Sequence, residues 1–83
     1  MQAKTDLHIG KMICEQLEQE GRSKKWLAQK ICYEYSSFCK IVKKQFIDTE
    51  LLLRISLVLQ YDFFAHISNY FTENMDINGK KAP

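Results

Sequence analysis

Hydroxyl and lysine side chains share one side of the stretch ICYEYSSFCKIVKK, residues 31–44. With Phe38 at 0° on a helical wheel, Lys43 falls at about 140°, Ser36 at about 160° and Lys40 at about 200°. Short hydroxyls allow a helix backbone to approach a partner closely, and lysines neutralise phosphates or donate to base edges. Lys44, at about 240°, belongs to the same polar face, and Ser37 and Cys39 flank it. The opposite, apolar face contains Tyr35, Ile41 and Val42.

Positive charge is concentrated around this stretch. Between Arg22 and Lys44, seven Lys and Arg stand against Glu34 alone, a local balance of +6 in a chain whose total is only +2. This segregation predicts either a polyanionic partner on one face or an ordinary solvated, lysine-rich surface. The segment from Tyr35 to Ile47 contains no acid, whereas a solvated helix usually mixes both signs, so the pattern favours nucleic acid.

Residue types that would support catalysis or metal binding lack the necessary spacing. His8 and His66 have no second ligand at metal spacing, and Cys14, Cys32 and Cys39 form neither a C-x-x-C pair nor a disulfide framework. We therefore expect no enzyme, no cofactor, no metal and no small-molecule substrate. No signal-peptide core is present, and the most apolar run, LLLRISLVL, is interrupted by a charge, so we expect a cytoplasmic protein without a membrane partner.

The elements that must position the polar face are all helical. With 83 residues, 46% of them hydrophobic, the chain fits one small domain. Apolar periodicity predicts a helix over 7–20, and Ser23 is a cap for a second helix over 24–31. A turn over 32–34 then leads to a third helix over about 35–44. Asp48 or Thr49 caps a fourth helix and Asp62 caps a fifth, which gives an all-α, compact five-helix bundle over 1–71 with a polar, flexible tail over 72–83.

The order of these features resembles the DNA-binding domain of the lambda repressor and Cro type, the XRE family. The resemblance rests on LAQKI, a three-residue turn, SSFCKI, a capped LLLRISLVL and YDFF, and it spans about residues 7–71. It implies a helix-turn-helix at helices 2 and 3, with helix 3 in the major groove of double-stranded DNA. It also implies a set of contacts: Tyr35, Ser36, Ser37 and Lys40 toward bases, and Lys24, Lys25, Lys43 and Lys44 toward phosphates.

Two residues depart from the family pattern. Cys32 stands at the turn position that is usually glycine, so it must either avoid a left-handed backbone or hold one at a cost of about 1 kcal/mol. Glu34 precedes helix 3, where an acid suits the helix dipole but not a neighbouring phosphate. It could reject sequences, accept a hydrogen bond from a cytosine amine or cap the helix, and we favour the cap.

The fifth helix has apolar residues on more than one face. Its aromatic side chains belong either to the core or to a dimer seam, because so small a core needs support. The candidate seam contains Phe63, Phe64, Ile67, Tyr70 and Phe71. The prediction is a homodimeric transcription regulator that recognises DNA by sequence; the alternatives are a protein-interaction module on the same fold, of antitoxin or anti-repressor type, and a non-specific nucleic-acid binder.

Overall fold

The structure of the chain is a computed structural model that describes residues 6–79, with side chains described as far as residue 74. Within this range the chain is all-helical and has five helices. They are α1 (Ile9–Glu20), α2 (Lys24–Lys30), α3 (Tyr35–Ile41), α4 (Thr49–Leu59) and α5 (Phe63–Gly79). Among the described residues, no helix is both long and apolar enough to cross a membrane.

Side-chain caps define where most of these helices begin. Ser23 Oγ accepts from the Trp26 amide at 3.0 Å, and Asp48 Oδ2 accepts from the Leu51 amide at 3.2 Å. Asp62 caps α5 in the same way, with Oδ1 3.0 Å from the Ala65 amide. Each bond satisfies a donor that the first helical turn leaves free, so these three predicted starts are confirmed.

Side chains from all five helices meet in one core, and α2 packs against both α3 and α4. Phe38 and Phe63 are its largest fully buried members, so α3 and α5 are each anchored by a phenylalanine. The next largest fully enclosed side chains are aliphatic: Ile9, Ile13, Leu17, Leu27, Ile31 and Ile55.

Gly10 allows α1 to lie directly on the connection between α3 and α4. A Cβ atom at this position would overlap the Val42 carbonyl oxygen and would lie 2.7 Å from the carbonyl oxygen of Lys44. Two hydrogen bonds accompany the contact: the Ile9 amide donates to the Gln45 carbonyl at 2.7 Å, and Gln45 Nε2 donates to the Leu7 carbonyl at 2.9 Å. The start of α1 therefore holds the segment that follows α3.

Two predicted helix ends are wrong. Helix α3 ends at Ile41 rather than near residue 44, because Val42 is its C-cap and the Lys43 and Lys44 amides then bond three residues back in a tighter turn. Helix α5 continues to Gly79, although the sequence pattern placed its end near Phe71 and a polar tail after it. No glycine or proline lies between Phe63 and Gly79, so nothing local stops the helix. The rest of the predicted tail, residues 80–83, lies outside the described range.

Candidate functional site

The outer face of α3 is polar and exposed. Phe38 fixes the helix against the core, and this leaves Ser36, Ser37 and Lys40 in solvent. Tyr35 is 49% exposed, so its predicted place on the buried side of the wheel is wrong. As the first residue of α3, it has no preceding helical turn to cover it, and it joins the exposed face instead.

The basic residues around α3 come from three parts of the chain. Lys24 at the start of α2 and Lys43 after α3 line one open depression of about 470 Å³. Lys11 and His8, from the start of α1, line it too, and sequence reasoning had not connected them with the site. Their only sequence signal was proximity to Gly10, whose contact with the α3–α4 connection brings the start of α1 here.

The other predicted phosphate contacts lie outside this depression. Lys25 and Lys44 are exposed, but neither lines the cavity. On its α1 side, Lys11 and Lys24 also line a neighbouring depression together with Glu15 and Glu18. The basic surface therefore ends at α1, where acidic residues begin.

His8 has a structural role in this region. Its Nδ1 atom accepts from the Lys11 amide at 3.0 Å and caps α1. This bond requires a lone pair on Nδ1, so it is made by an imidazole that is unprotonated at that atom. His66 lies elsewhere, hydrogen-bonded to the Tyr61 hydroxyl through Nε2. Among the described side chains, no group of three or more His, Cys, Asp or Glu could hold a metal ion.

The turn between α2 and α3 sets how α3 is presented. Cys32 adopts a left-handed backbone conformation with φ 61°. Glycine would adopt this conformation at a lower free-energy cost, because it has no Cβ atom. The Tyr33 amide closes the turn by donating to the Ala28 carbonyl at 2.8 Å. From α4, the Arg54 guanidinium donates to the Ile31 carbonyl at 2.7 Å. The strained backbone of Cys32 and the hydrogen bond from Arg54 to Ile31 together orient α3 relative to α2.

Glu34 occupies the N-cap position of α3 but makes no side-chain capping bond. The predicted capping position of Glu34 is therefore confirmed, but its side chain does not supply the capping hydrogen bond. Its carbonyl starts the helix instead, by accepting from the Phe38 amide at 2.9 Å. The carboxylate is exposed beside Tyr35, where it adds negative charge at one end of an otherwise basic face.

Only some residues of the predicted dimer seam on α5 lie at the surface. Phe63 is 0% exposed and belongs to the core, so its assignment to a seam is wrong. Phe64, Ile67 and Tyr70 are half-buried, and Phe71 is exposed. Sequence reasoning missed that α4 contributes two exposed leucines, Leu53 and Leu57, which line an open depression with Phe64.

Comparisons with known proteins add no relative: no protein-family model, no curated protein and no solved structure matches this chain.

Proposed function

We propose that this chain is a sequence-specific DNA-binding transcription regulator of the lambda repressor and Cro type, in which α2, the turn and α3 form a helix-turn-helix. In this proposal α3 enters the major groove, and the protein acts as a homodimer on half-sites about 34 Å apart. The observation that carries it is the acid-free strip of Ser36, Ser37 and Lys40 on α3, next to the depression where Lys24 and Lys43 converge.

The chemistry of the strip suits the two kinds of contact that such a regulator needs. The Lys40 ammonium would donate a hydrogen bond to guanine O6 or N7. The two serine hydroxyls would donate or accept hydrogen bonds with little preference for a base. The depression would receive a phosphate oxygen between ammonium groups from Lys24 and Lys43, with Lys25 and Lys44 further along the backbone. Tyr35 and Glu34 would face the edge of the groove.

The test begins with selection of the purified protein against a random duplex library, followed by titration of the enriched duplex across a range of salt concentrations. We expect a palindromic motif and a steep fall of affinity with salt. Lys40→Ala should weaken binding by about tenfold to a hundredfold and relax one position of the motif. Lys24→Ala should weaken all sequences alike and reduce the salt slope by about one.

Lys30→Ala is the matched control, because Lys30 is also exposed and also in the basic segment, but lies over the Trp26 ring, 5.7 Å from its centroid. Its affinity should stay within about twofold of the wild type. Salt-dependent binding without a motif would instead indicate a non-specific nucleic-acid binder.

A protein-interaction module is the second candidate, and one observation favours it. Leu53 is 48% exposed and Leu57 62% exposed, and both line one open depression with Phe64. Adjacent exposed apolar side chains of this size are typical of protein contacts. No duplex binding at low salt, together with a stoichiometric protein partner on purification, would replace the DNA-binding proposal with this one.

A further inference from the structure

Two cysteines from different helices line the basic depression. Cys14 lies on α1 and Cys39 on α3; both are free thiols and both are half-buried. Each is among the residues that surround the cavity together with Lys11, Lys24 and Lys43. The third cysteine, Cys32, is exposed in the α2–α3 turn and is not part of this cavity.

The contact at Gly10 explains why both thiols border the same cavity. Since nothing larger than hydrogen separates Gly10 from the Val42 carbonyl, the backbones of α1 and the end of α3 approach unusually closely there. Cys14 lies one helical turn beyond Gly10, and Cys39 lies three residues before Val42, so each is about one turn from the contact. Both positions border the same cavity, on adjacent helices.

The electrostatics agree with this placement. Burial raises the pKa of the Cys14 thiol, and negative charge on Cys39 raises it further, whereas the Lys24 ammonium acts in the opposite direction. Glu15 and Glu18 also raise the pKa of Cys14, from the outer side of α1. Cys39 is thus close enough to influence the ionisation of Cys14, and the pKa of Cys14 is raised on balance despite the nearby Lys24 ammonium.

We propose that Cys14 and Cys39 form a dithiol site that a hydroperoxide oxidises to an intramolecular disulfide. One thiolate attacks the terminal peroxide oxygen, the O–O bond breaks, and the alkoxide or hydroxide leaves and takes up a proton. The resulting sulfenic acid is attacked by the second thiolate, which forms the S–S bond and releases water. Two thiols are oxidised and one peroxide is reduced to an alcohol, or to water when the peroxide is hydrogen peroxide.

The disulfide would act on the exposed face of α3. Cys39 lies close enough to Tyr35 to raise the pKa of the tyrosine hydroxyl. Oxidation replaces the ionisable thiol beside Tyr35 with a disulfide sulfur and ties α3 covalently to α1. The dithiol site itself is independent of DNA binding, whereas its effect on DNA affinity rests on the proposed function.

The experiment uses the full chain with Cys32→Ser, so that the exposed thiol forms no links between molecules. After treatment with hydrogen peroxide, we expect the intact mass to fall by two hydrogen atoms, free thiols to disappear, and a peptide containing Cys14 joined to Cys39 after digestion. Dithiothreitol should reverse all three changes. A mass increase by oxygen atoms without a linked peptide would overturn the proposal, as would links between molecules only.

A matched variant with Cys14→Ser and Cys32→Ser keeps Cys39 as its single thiol. It should form no disulfide within the chain, and its sulfenic acid should be trapped by dimedone. Circular dichroism shows whether this variant folds. If it does not, a variant with Cys14→Ala and Cys32→Ser takes its place.

A second readout then tests the consequence for DNA. On the selected duplex, the oxidised Cys32→Ser protein should bind about fivefold more weakly than the reduced protein, because the disulfide fixes α3 to α1 and shifts it from the position that fits the groove. Disulfide formation with unchanged affinity would overturn the effect on α3, and disulfide formation in a protein that binds no duplex in either state would count against the proposed function alone.

Discussion

Replacing Gly10 by alanine tests the contact that brings three parts of the basic depression together. The added methyl group would overlap the Val42 carbonyl oxygen and lie 2.6 Å from the Val42 carbonyl carbon. These are backbone atoms, so no side chain can rotate away to relieve the overlap. Helix α1 and the α3–α4 connection must separate instead.

The magnitude follows from what the separation breaks. Overpacking against backbone costs about 3 kcal/mol, and loss of the Ile9 to Gln45 and Gln45 to Leu7 hydrogen bonds costs about 1 kcal/mol each. The higher helix propensity of alanine offsets about 1 kcal/mol of this loss in stability. The free energy of unfolding should therefore fall by about 4 kcal/mol, which is about half of what a chain of 83 residues typically has.

Thermal unfolding by circular dichroism measures this loss, and the midpoint should drop by about 20 °C. Gly21→Ala is the matched control, because Gly21 has nothing within 4 Å of an added Cβ but adopts the left-handed backbone with φ 70°. It should cost only about 1 kcal/mol, the price of that conformation for alanine. If Gly10→Ala were as stable as the wild type, α1 would not lie on this connection and the described cavity would be wrong.

Three further substitutions test other parts of the structure. Cys32→Gly should stabilise the protein by about 0.5–1 kcal/mol in urea unfolding, because glycine holds the left-handed turn without strain; a loss of stability would mean that the turn is not left-handed. Arg54→Met should cost about 2 kcal/mol, because it leaves the Ile31 carbonyl without its charged donor, and an unchanged urea midpoint would refute that role. Ser56→Ala should be neutral or stabilising by about 1 kcal/mol, since the Ser56 hydroxyl is buried without a hydrogen-bond partner; a clear destabilisation would indicate a partner for it.

Much of the fold could be predicted from sequence because its determinants are local. Ser23, Asp48 and Asp62 cap helices by accepting hydrogen bonds from amides only three residues away. A short stretch of sequence therefore determines where each of these helices begins. The helical periodicity of apolar residues likewise identified Phe38 and Ile55 as core residues. The end of α5 was missed because polar composition alone does not stop a helix that meets no glycine or proline.

The candidate site was only partly predictable because its assembly is tertiary. Exposure of Ser36 and Lys40 followed from helical periodicity. The same periodicity placed Tyr35 on the buried face, because a helical wheel does not show that the first residue of a helix has no preceding turn to cover it. Lys11 joins Lys24 only because the chain folds α1 back onto the segment after α3. Contacts between residues so distant in sequence have no signature in a short window of residues.

The contact between α1 and the α3–α4 connection also implies an order of events during folding. The bond between Gln45 and Leu7 joins residues 38 positions apart, whereas α2 and α3 are neighbours in sequence. Closing the longer loop costs more chain entropy, so we expect α2 and α3 to associate first and α1 to dock later. In native-state hydrogen exchange, the first turn of α1 should then open at lower free energy than α3. Detachment of α1 would carry Cys14 away from Cys39, so the proposed disulfide would form only while that helix is docked.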